Sequence, residues 1–225
     1  MRKIVINFGK FNFYKRIPMK RIFVLPLLLL LLLSCKSTSR REKPEYMDGF
    51  KEKLAETKLL IRQVVPPNFR LIAKDPKVPY RYDYALRSDD DQIEIRYIVK
   101  SVPGLLREIA EIKKKDPSAV MITPKKDDYL IHYAVFLQNL GGENAATGYT
   151  EFPPKAVKDE FGADWGSNVS FEMRPGSDSR FKYCSITALH KDNQADVYIL
   201  YLSEDPDKLI QFMKNTYLFY NLRFM

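Results

Sequence analysis

Phe181-Lys182-Tyr183-Cys184-Ser185-Ile186-Thr187-Ala188-Leu189-His190, then Lys191-Asp192-Asn193-Gln194, then Ala195-Asp196-Val197-Tyr198-Ile199-Leu200-Tyr201-Leu202, is the stretch that decides the fold. Two runs rich in β-branched and aromatic residues, joined by four turn-forming polar residues, read as a hairpin. Strand side chains alternate between faces, so Ala195, Val197, Ile199 and Tyr201 share one face while Tyr198, Leu200 and Leu202 share the other. Both faces are apolar. Such a strand belongs in the middle of a sheet that is covered on both sides.

Working outward, Tyr80 to Leu86 and Ile93 to Val99 form a second hairpin around Ser88-Asp89-Asp90-Asp91-Gln92. Here Tyr80, Tyr82, Tyr84 and Leu86 alternate with Arg81, Asp83 and Arg87, and Ile93, Ile95, Tyr97 and Val99 alternate with Glu94, Arg96 and Lys100. The pattern predicts one buried face and one solvated face, the charged side being the exposed or partly covered side of the sheet. Phe69 to Ala73 and Val169 to Arg174 add two strands, for about six in all.

Helices fall between and after these strands. Tyr46, Phe50, Leu54, Lys58 and Ile61 lie at helical spacing within Pro44 to Val65, before Pro66-Pro67. Pro103 opens a helix striped with Leu105, Leu106, Ile109 and Ile112 and closed by Lys113-Lys114-Lys115, cations that suit a helix C-terminus. Thr123-Pro124 reads as an N-cap with proline following, leading into Tyr129 to Leu140, of which Tyr129 to Leu137 is apolar nearly all round and so expected to be a deeply buried helix or partly a strand. Pro153-Pro154 starts a short helix ending near Phe161-Gly162, and a last helix runs from about Asp205 to Tyr220.

Six strands in hairpin order with helices beside them define an α+β fold, a mainly antiparallel sheet flanked by helices. That pattern is similar to the PsbP/Mog1-like α/β/α sandwich. The resemblance is one of architecture and carries no active site across, because fold does not imply function.

The N-terminus has a different character. Met19-Lys20-Arg21 precedes twelve apolar residues, Ile22 to Leu33, and Ser34-Cys35 follow. A basic segment, a short apolar segment and a small residue make an export signal, and twelve residues are too few to span the roughly 30 Å bilayer core as a helix. Leu32-Leu33-Ser34-Cys35 resembles the lipobox of bacterial lipoproteins, although Leu33 stands where Ala, Ser or Thr is usual. The resemblance implies lipid attachment at Cys35 and anchorage to a membrane. Several acyl chains, each worth ~0.8 kcal/mol per buried methylene, make such an anchor stable. Lys36 occupies the position where Asp favours inner-membrane retention in diderm lipoproteins, which implies an outer-membrane address in a cell that has one.

The expected organisation is therefore a leader over residues 1–34, the lipidated Cys35 with a polar tether to residue 43, and one α+β domain over 44–225. Met19 is the expected start, since Met1 adds eighteen residues before a signal of ordinary length. Of the 37 Lys and Arg, seven precede Cys35 and no acid does, so the mature part carries 30 against 28 acids, a net +2. The basic balance therefore argues for no nucleic-acid partner. Cys35 and Cys184 are the two cysteines. Lipidation of the first leaves the second without a disulfide partner, and 191 residues are enough to fold without staples.

The catalytic inventory is thin. The chain has His132 and His190 and none of the HExxH, CxxC, GxSxG, Walker or GxGxxG spacings. His132, within an apolar helix, reads as a hydrogen-bonded core residue, and His190, before a turn, as a surface residue. Cys184 and His190 share one strand face, but six residues at ~3.3 Å place them about 20 Å apart, far beyond nucleophile–base reach. Cys184 thus reads as a small buried hydrophobe. Asp89-Asp90-Asp91 lacks the pattern of a calcium loop and reads as an acidic hairpin tip.

No catalytic residue, metal ligand or cofactor is assigned. The loops Gly141 to Tyr149 and Asp164 to Asn168 are the expected ligand or partner surface, with Tyr149, Asp164, Trp165 and Asn168 as its candidate residues. Function is expected to be non-catalytic binding or a structural role in the cell envelope, with the membrane as one partner through Cys35 and an envelope protein or ligand as the other. The alternatives are an envelope hydrolase and a small-molecule or lipid carrier. A carrier would need a large apolar cavity near the final hairpin.

Overall fold

The computed structural model describes residues 49–125 and 127–225. The leader, the lipobox with Cys35 and the tether lie outside the described residues, as does the first part of the helix expected from Pro44. Among the described residues no helix is long and apolar enough to cross a membrane.

The chain enters through α1 (Phe50–Glu56), a single short helix with Phe50 and Leu54 buried. Lys58 then adopts φ 52°, which ends the helix well before Val65 and starts strand β1 (Leu59–Ile61). There follow β2 (Phe69–Leu71), β3 (Tyr84–Ser88), β4 (Glu94–Ser101), α2 (Val102–Lys115), α3 (Asp128–Gly141) and α4 (Glu143–Thr147). Next come β5 (Thr150–Glu151), α5 (Pro154–Ala156) continued by a wider π-type turn over Val157–Phe161, β6 (Trp165–Glu172), β7 (Tyr183–Lys191) and β8 (Ala195–Ser203). The chain closes with α6 (Pro206–Asn215), a 3-10 turn over Leu218–Tyr220 and β9 (Leu222–Phe224).

The fold is α+β. Seven strands form one antiparallel sheet in the order β2-β3-β4-β8-β7-β6-β5, and β1 pairs with β9 in a separate two-stranded ribbon. The sheet thus exceeds the expected six strands by the two-residue edge strand β5. β8 is buried along its whole length at the centre, as its two apolar faces require. Both hairpin turns use a non-glycine residue with positive φ, Asp91 at 59° and Asn193 at 60°, a conformation that short polar side chains tolerate best.

Local chemistry sets the helix starts. Ser101 caps α2 by accepting from the Gly104 N–H at 2.9 Å, and Asp205 caps α6 by accepting from the N–H groups of Asp207 and Lys208, each with proline in the first turn. Thr123-Pro124, expected to start α3, lies outside it: the helix begins at Asp128, whose carboxylate accepts from the Lys125 N–H. α3 is also less buried than its composition implies. Tyr133, Leu137 and Leu140 face the sheet, whereas Ile131 and Val135 are exposed.

Two cores lie on the two faces of the sheet. On one, Phe50 stacks on Tyr84 with ring centroids 4.7 Å apart, and Tyr97, Ile199, Tyr201 and Leu209 complete a cluster covered by α1, α6 and the β1-β9 ribbon. Asn221 joins this layer together: its amide donates to the Tyr97 hydroxyl and to Gln63 O and accepts from Gln63 N. On the other face Ala85, Ile98, Ile186, Ala188, Tyr198 and Leu200 pack beneath α3, α4 and two loops.

Those loops correct the expectation of a solvated charged face on the first hairpin. Tyr80 and Tyr82 are outside the strand and fold back over Arg96, with its guanidinium 5.6 and 5.0 Å from their ring centroids. Asp178, from the loop between β6 and β7, reaches the same guanidinium at 2.5 Å. Glu94 accepts from Arg96 at 2.6 Å and from Arg87 at 2.9 and 2.6 Å. Glu94, Arg96 and Asp178 are all but inaccessible, with side-chain exposures of 1%, 2% and 0%. Burial alone would weaken the arginine's hold on its proton, but Tyr80, Glu94 and Asp178 reverse this and raise its pKa.

Candidate functional site

The face that carries Tyr97 and Tyr201 changes character across the sheet. On β4 and β8 it presents Ile95, Tyr97, Val197, Ile199 and Tyr201, but on β6 and β7 it presents Asn168, Ser170, Ser185 and Thr187. These polar groups bond largely among themselves. Ser170 and Ser185 share a hydrogen bond between hydroxyls at 3.0 Å, and the Asn168 amide donates to Ile186 O at 3.0 Å.

Over this polar floor lies a groove of about 720 Å³ bounded by α6 and the segments on either side. Leu209 turns into the core, which leaves Ile210 and Met213 along the groove wall, with Ile210 49% exposed. Phe152 and Phe219 form the opposite wall, 5.7 Å apart edge to face, and Phe219 also packs edge-on against Tyr220 at 5.1 Å. The volume falls within the range of small-molecule sites, roughly 300–1,000 Å³. Among the described residues Lys214 is the one charged residue of the lining. An apolar trough with a hydrogen-bonding floor can hold a molecule of that size.

On the opposite face, α3 lays an aromatic cluster over the ends of β6 to β8. Tyr133 lies 5.7 Å from Trp165, 5.5 Å from Tyr149 and 5.4 Å from Tyr198, and Tyr129 lies 5.3 Å from Trp165. The Tyr133 and Tyr198 hydroxyls and the Trp165 indole N–H are buried without a hydrogen-bond partner among the described residues. Tyr129 also stacks on His190 at 3.8 Å. His190 is buried, not a surface residue as its place before the turn implied: its Nδ1 lies 2.7 Å from Asp196 and its Nε2 3.0 Å from Asp192. Burial works against the imidazolium, but the two carboxylates outweigh it and raise the His190 pKa above the ordinary value.

Of the residues singled out from the sequence, Tyr149 and Trp165 meet in this cluster, with ring centroids 6.1 Å apart. Asp164 is exposed beside it and serves the hairpin turn, accepting from the Asp192 N–H at 3.0 Å and lying 3.9 Å from Lys191 Nζ. Asn168 is separated from all three, on the other face, in the groove floor. Nearby, Asp159 pairs with Lys155, and Glu160 stands beside the Tyr220 hydroxyl. Sequence reasoning missed the groove walls. Its available signal was the row Asn168, Ser170, Ser185, Thr187, polar where a covered sheet face is normally apolar.

The enzyme candidates are separated too. Cys184 is fully buried in the second core, and burial pushes its thiol pKa up, away from nucleophilic character. Both ring nitrogens of His190 are occupied. His132 is exposed on α3, which corrects its assignment to the core: it sits on the helix face turned away from Tyr133 and Leu137. Among the described residues no three His, Cys, Asp or Glu are grouped to hold a metal ion.

These features define an α+β domain with a groove against one sheet face. No protein-family model and no curated protein matches the chain. Among solved structures it is similar to the solution structure of cyanobacterial PsbP (CyanoP) from Synechocystis sp. PCC 6803. The TM-score is 0.39 at 8% identity, over 71% of this chain and 84% of that one. The likeness is one of general outline.

Proposed function

We propose that the chain is a non-catalytic binding module, held at a membrane by lipid on Cys35, and that the groove between α6 and the β6-β7 face takes its ligand. The observation that supports this reading is the composition of the groove: Ile210, Met213, Phe152 and Phe219 over a polar floor, with Lys214 the one charged group among the described residues of the lining. The export signal and the Leu32-Leu33-Ser34-Cys35 segment support the anchor. Lys36, in place of the Asp that favours inner-membrane retention in diderm lipoproteins, supports an outer-membrane address in a cell that has an outer membrane, and the second partner is a ligand or envelope component that the tethered domain captures.

Two measurements test the two halves. Intact mass of the membrane-extracted protein, compared with Cys35→Ala, should show a lipid-modified chain beginning at Cys35 that the variant lacks; an unmodified wild-type chain removes the anchor. Nile red, a neutral dye whose emission shifts in apolar surroundings, should bind the folded domain. Ile210→Asp should abolish that binding with an unchanged urea midpoint, because Ile210 is half-exposed. Equal binding by the variant removes the groove.

A further inference from the structure

We propose that the groove's ligand is a single-chain anionic amphiphile, its alkyl chain laid along Ile210, Met213, Phe152 and Phe219 and its carboxylate or phosphate head beside Lys214. This rests on the groove reading above and adds the chemical class of ligand to it. Three observations carry it. The first is the character of the walls. Ile210 is left half-exposed on a helix whose neighbouring Leu209 is 4% exposed, so apolar area remains that a ligand can remove from water. Met213 beside it is unbranched and polarizable, a side chain that adapts to an irregular apolar partner.

The second observation concerns the floor. Saccharide recognition needs free donors and acceptors, and among the described residues the groove lining contains no Asp or Glu. On the floor, Ser170 bonds to Ser185 and the Asn168 amide N–H to Ile186 O. A methylene chain can therefore cover the floor without stranding these bonded groups, which is the condition for burying polar groups at low cost. The third observation is charge. Lys214 is the single charged side chain among the described residues of the lining, is exposed, and lies in the last turn of α6. A head group there stays hydrated while its chain is buried, an arrangement suited to an amphiphile and not to a wholly apolar molecule.

The expected affinities follow. Each methylene buried should strengthen binding about four-fold until the groove is filled. The exposed ion pair at Lys214 should contribute no more than about five-fold. Calorimetric titration of the full-length protein below micellar concentration would use octanoate, decanoate and dodecanoate, with dodecanol as the neutral control. Affinity should climb along the series. Lys214→Gln should weaken dodecanoate several-fold and leave dodecanol unchanged, while Ile210→Asp abolishes both, each variant keeping the wild-type urea midpoint. Dodecyl phosphate in place of dodecanoate reads which anionic head is preferred, the tighter of the two naming the source.

Dodecanol binding as tightly as dodecanoate, with Lys214→Gln changing neither, overturns the anionic head while the groove reading stands. Nile red bound without any dependence on alkyl chain length overturns the alkyl chain. Failure of every probe, Nile red included, takes down the groove reading itself.

Discussion

Replacing Arg96 by methionine should destabilise the domain by about 3–5 kcal/mol, the cost of breaking a buried ion pair and leaving one partner charged. The structure says which partner is stranded. Glu94 keeps two hydrogen bonds from Arg87, so its carboxylate remains paired. Asp178 keeps the N–H groups of Arg180 and Phe181 on one oxygen, at 2.9 and 3.1 Å, and the Tyr80 hydroxyl at 3.3 Å on the other, but no cation. Methionine preserves much of the aliphatic stem under Tyr80 and Tyr82, so most of the loss is electrostatic. Adding Asp178→Asn removes the stranded charge and leaves an oxygen for the two backbone donors. The double variant should therefore be more stable than Arg96→Met alone, a non-additivity expected of contacting residues. Urea unfolding followed by the fluorescence of Trp165, with an unchanged denaturant slope, reads both differences. For a domain of this size the single variant should melt roughly 6–20 °C lower. A loss under about 1 kcal/mol, or a double variant no more stable than the single, would refute the reasoning, because Arg96 would then not be what makes Asp178 tolerable in the core.

His190 gives a pH dependence of definite sign. Its folded pKa is raised, so its pairing with Asp196 and Asp192 stabilises fully below the unfolded value, about 6.5, and is lost as pH rises through the higher folded value. His190→Gln should remove that fall, and a wild-type stability curve flat above neutrality would contradict it. Cys184 should react with a thiol reagent in the Cys35→Ala protein only on unfolding, at the rate set by urea-induced opening; prompt native-state labelling would disprove its burial. Gly162 combines φ 63° with a position where a Cβ would strike the Phe224 carbonyl oxygen, so Gly162→Ala should cost about 1–3 kcal/mol by thermal unfolding, and a neutral result would show that β9 yields there.

The centre of the fold was legible because β8 is apolar on both faces, a pattern that few environments other than a covered mid-sheet strand satisfy. The alternation of Ile93, Ile95, Tyr97 and Val99 with Glu94, Arg96 and Lys100 gave the faces correctly and the exposure of Glu94 and Arg96 wrongly. Period-two spacing assigns residues to faces but says nothing of what arrives from elsewhere in the chain, and Asp178 is 82 residues from Arg96. Tyr80 and Tyr82 failed for the same reason: they continue the alternation in sequence while the backbone has left the strand to close over the guanidinium. His190 read as a surface residue because the carboxylate facing it, Asp196, is its cross-strand partner and invisible to spacing within one strand. Of the four candidate site residues, Tyr149 and Trp165 were brought together by loop proximity, whereas Asn168 lies three residues from Trp165 and therefore points to the opposite face.

The same contrast separates structural polarity from available polarity in this molecule. On the face beneath the two loops, buried charge has been given partners by the covering chain: Asp178 and Tyr80 arrive to meet Arg96, and the network closes. On the other face, α6 passes beside Asn168 and Ser170 and lines the groove with Pro206, Leu209, Ile210 and Met213, and with Lys214 in its last turn. A helix that merely completed the core would bring its apolar stripe down on an apolar strand face, since a polar floor left under apolar walls gains nothing from packing. Here the stripe is divided, Leu209 inward and Ile210 outward, with the floor bonded to itself. That arrangement stabilises the fold less than a filled one and leaves a trough with one cation at its edge, which is why the groove, and not the aromatic cluster chosen from the sequence, carries the functional proposal.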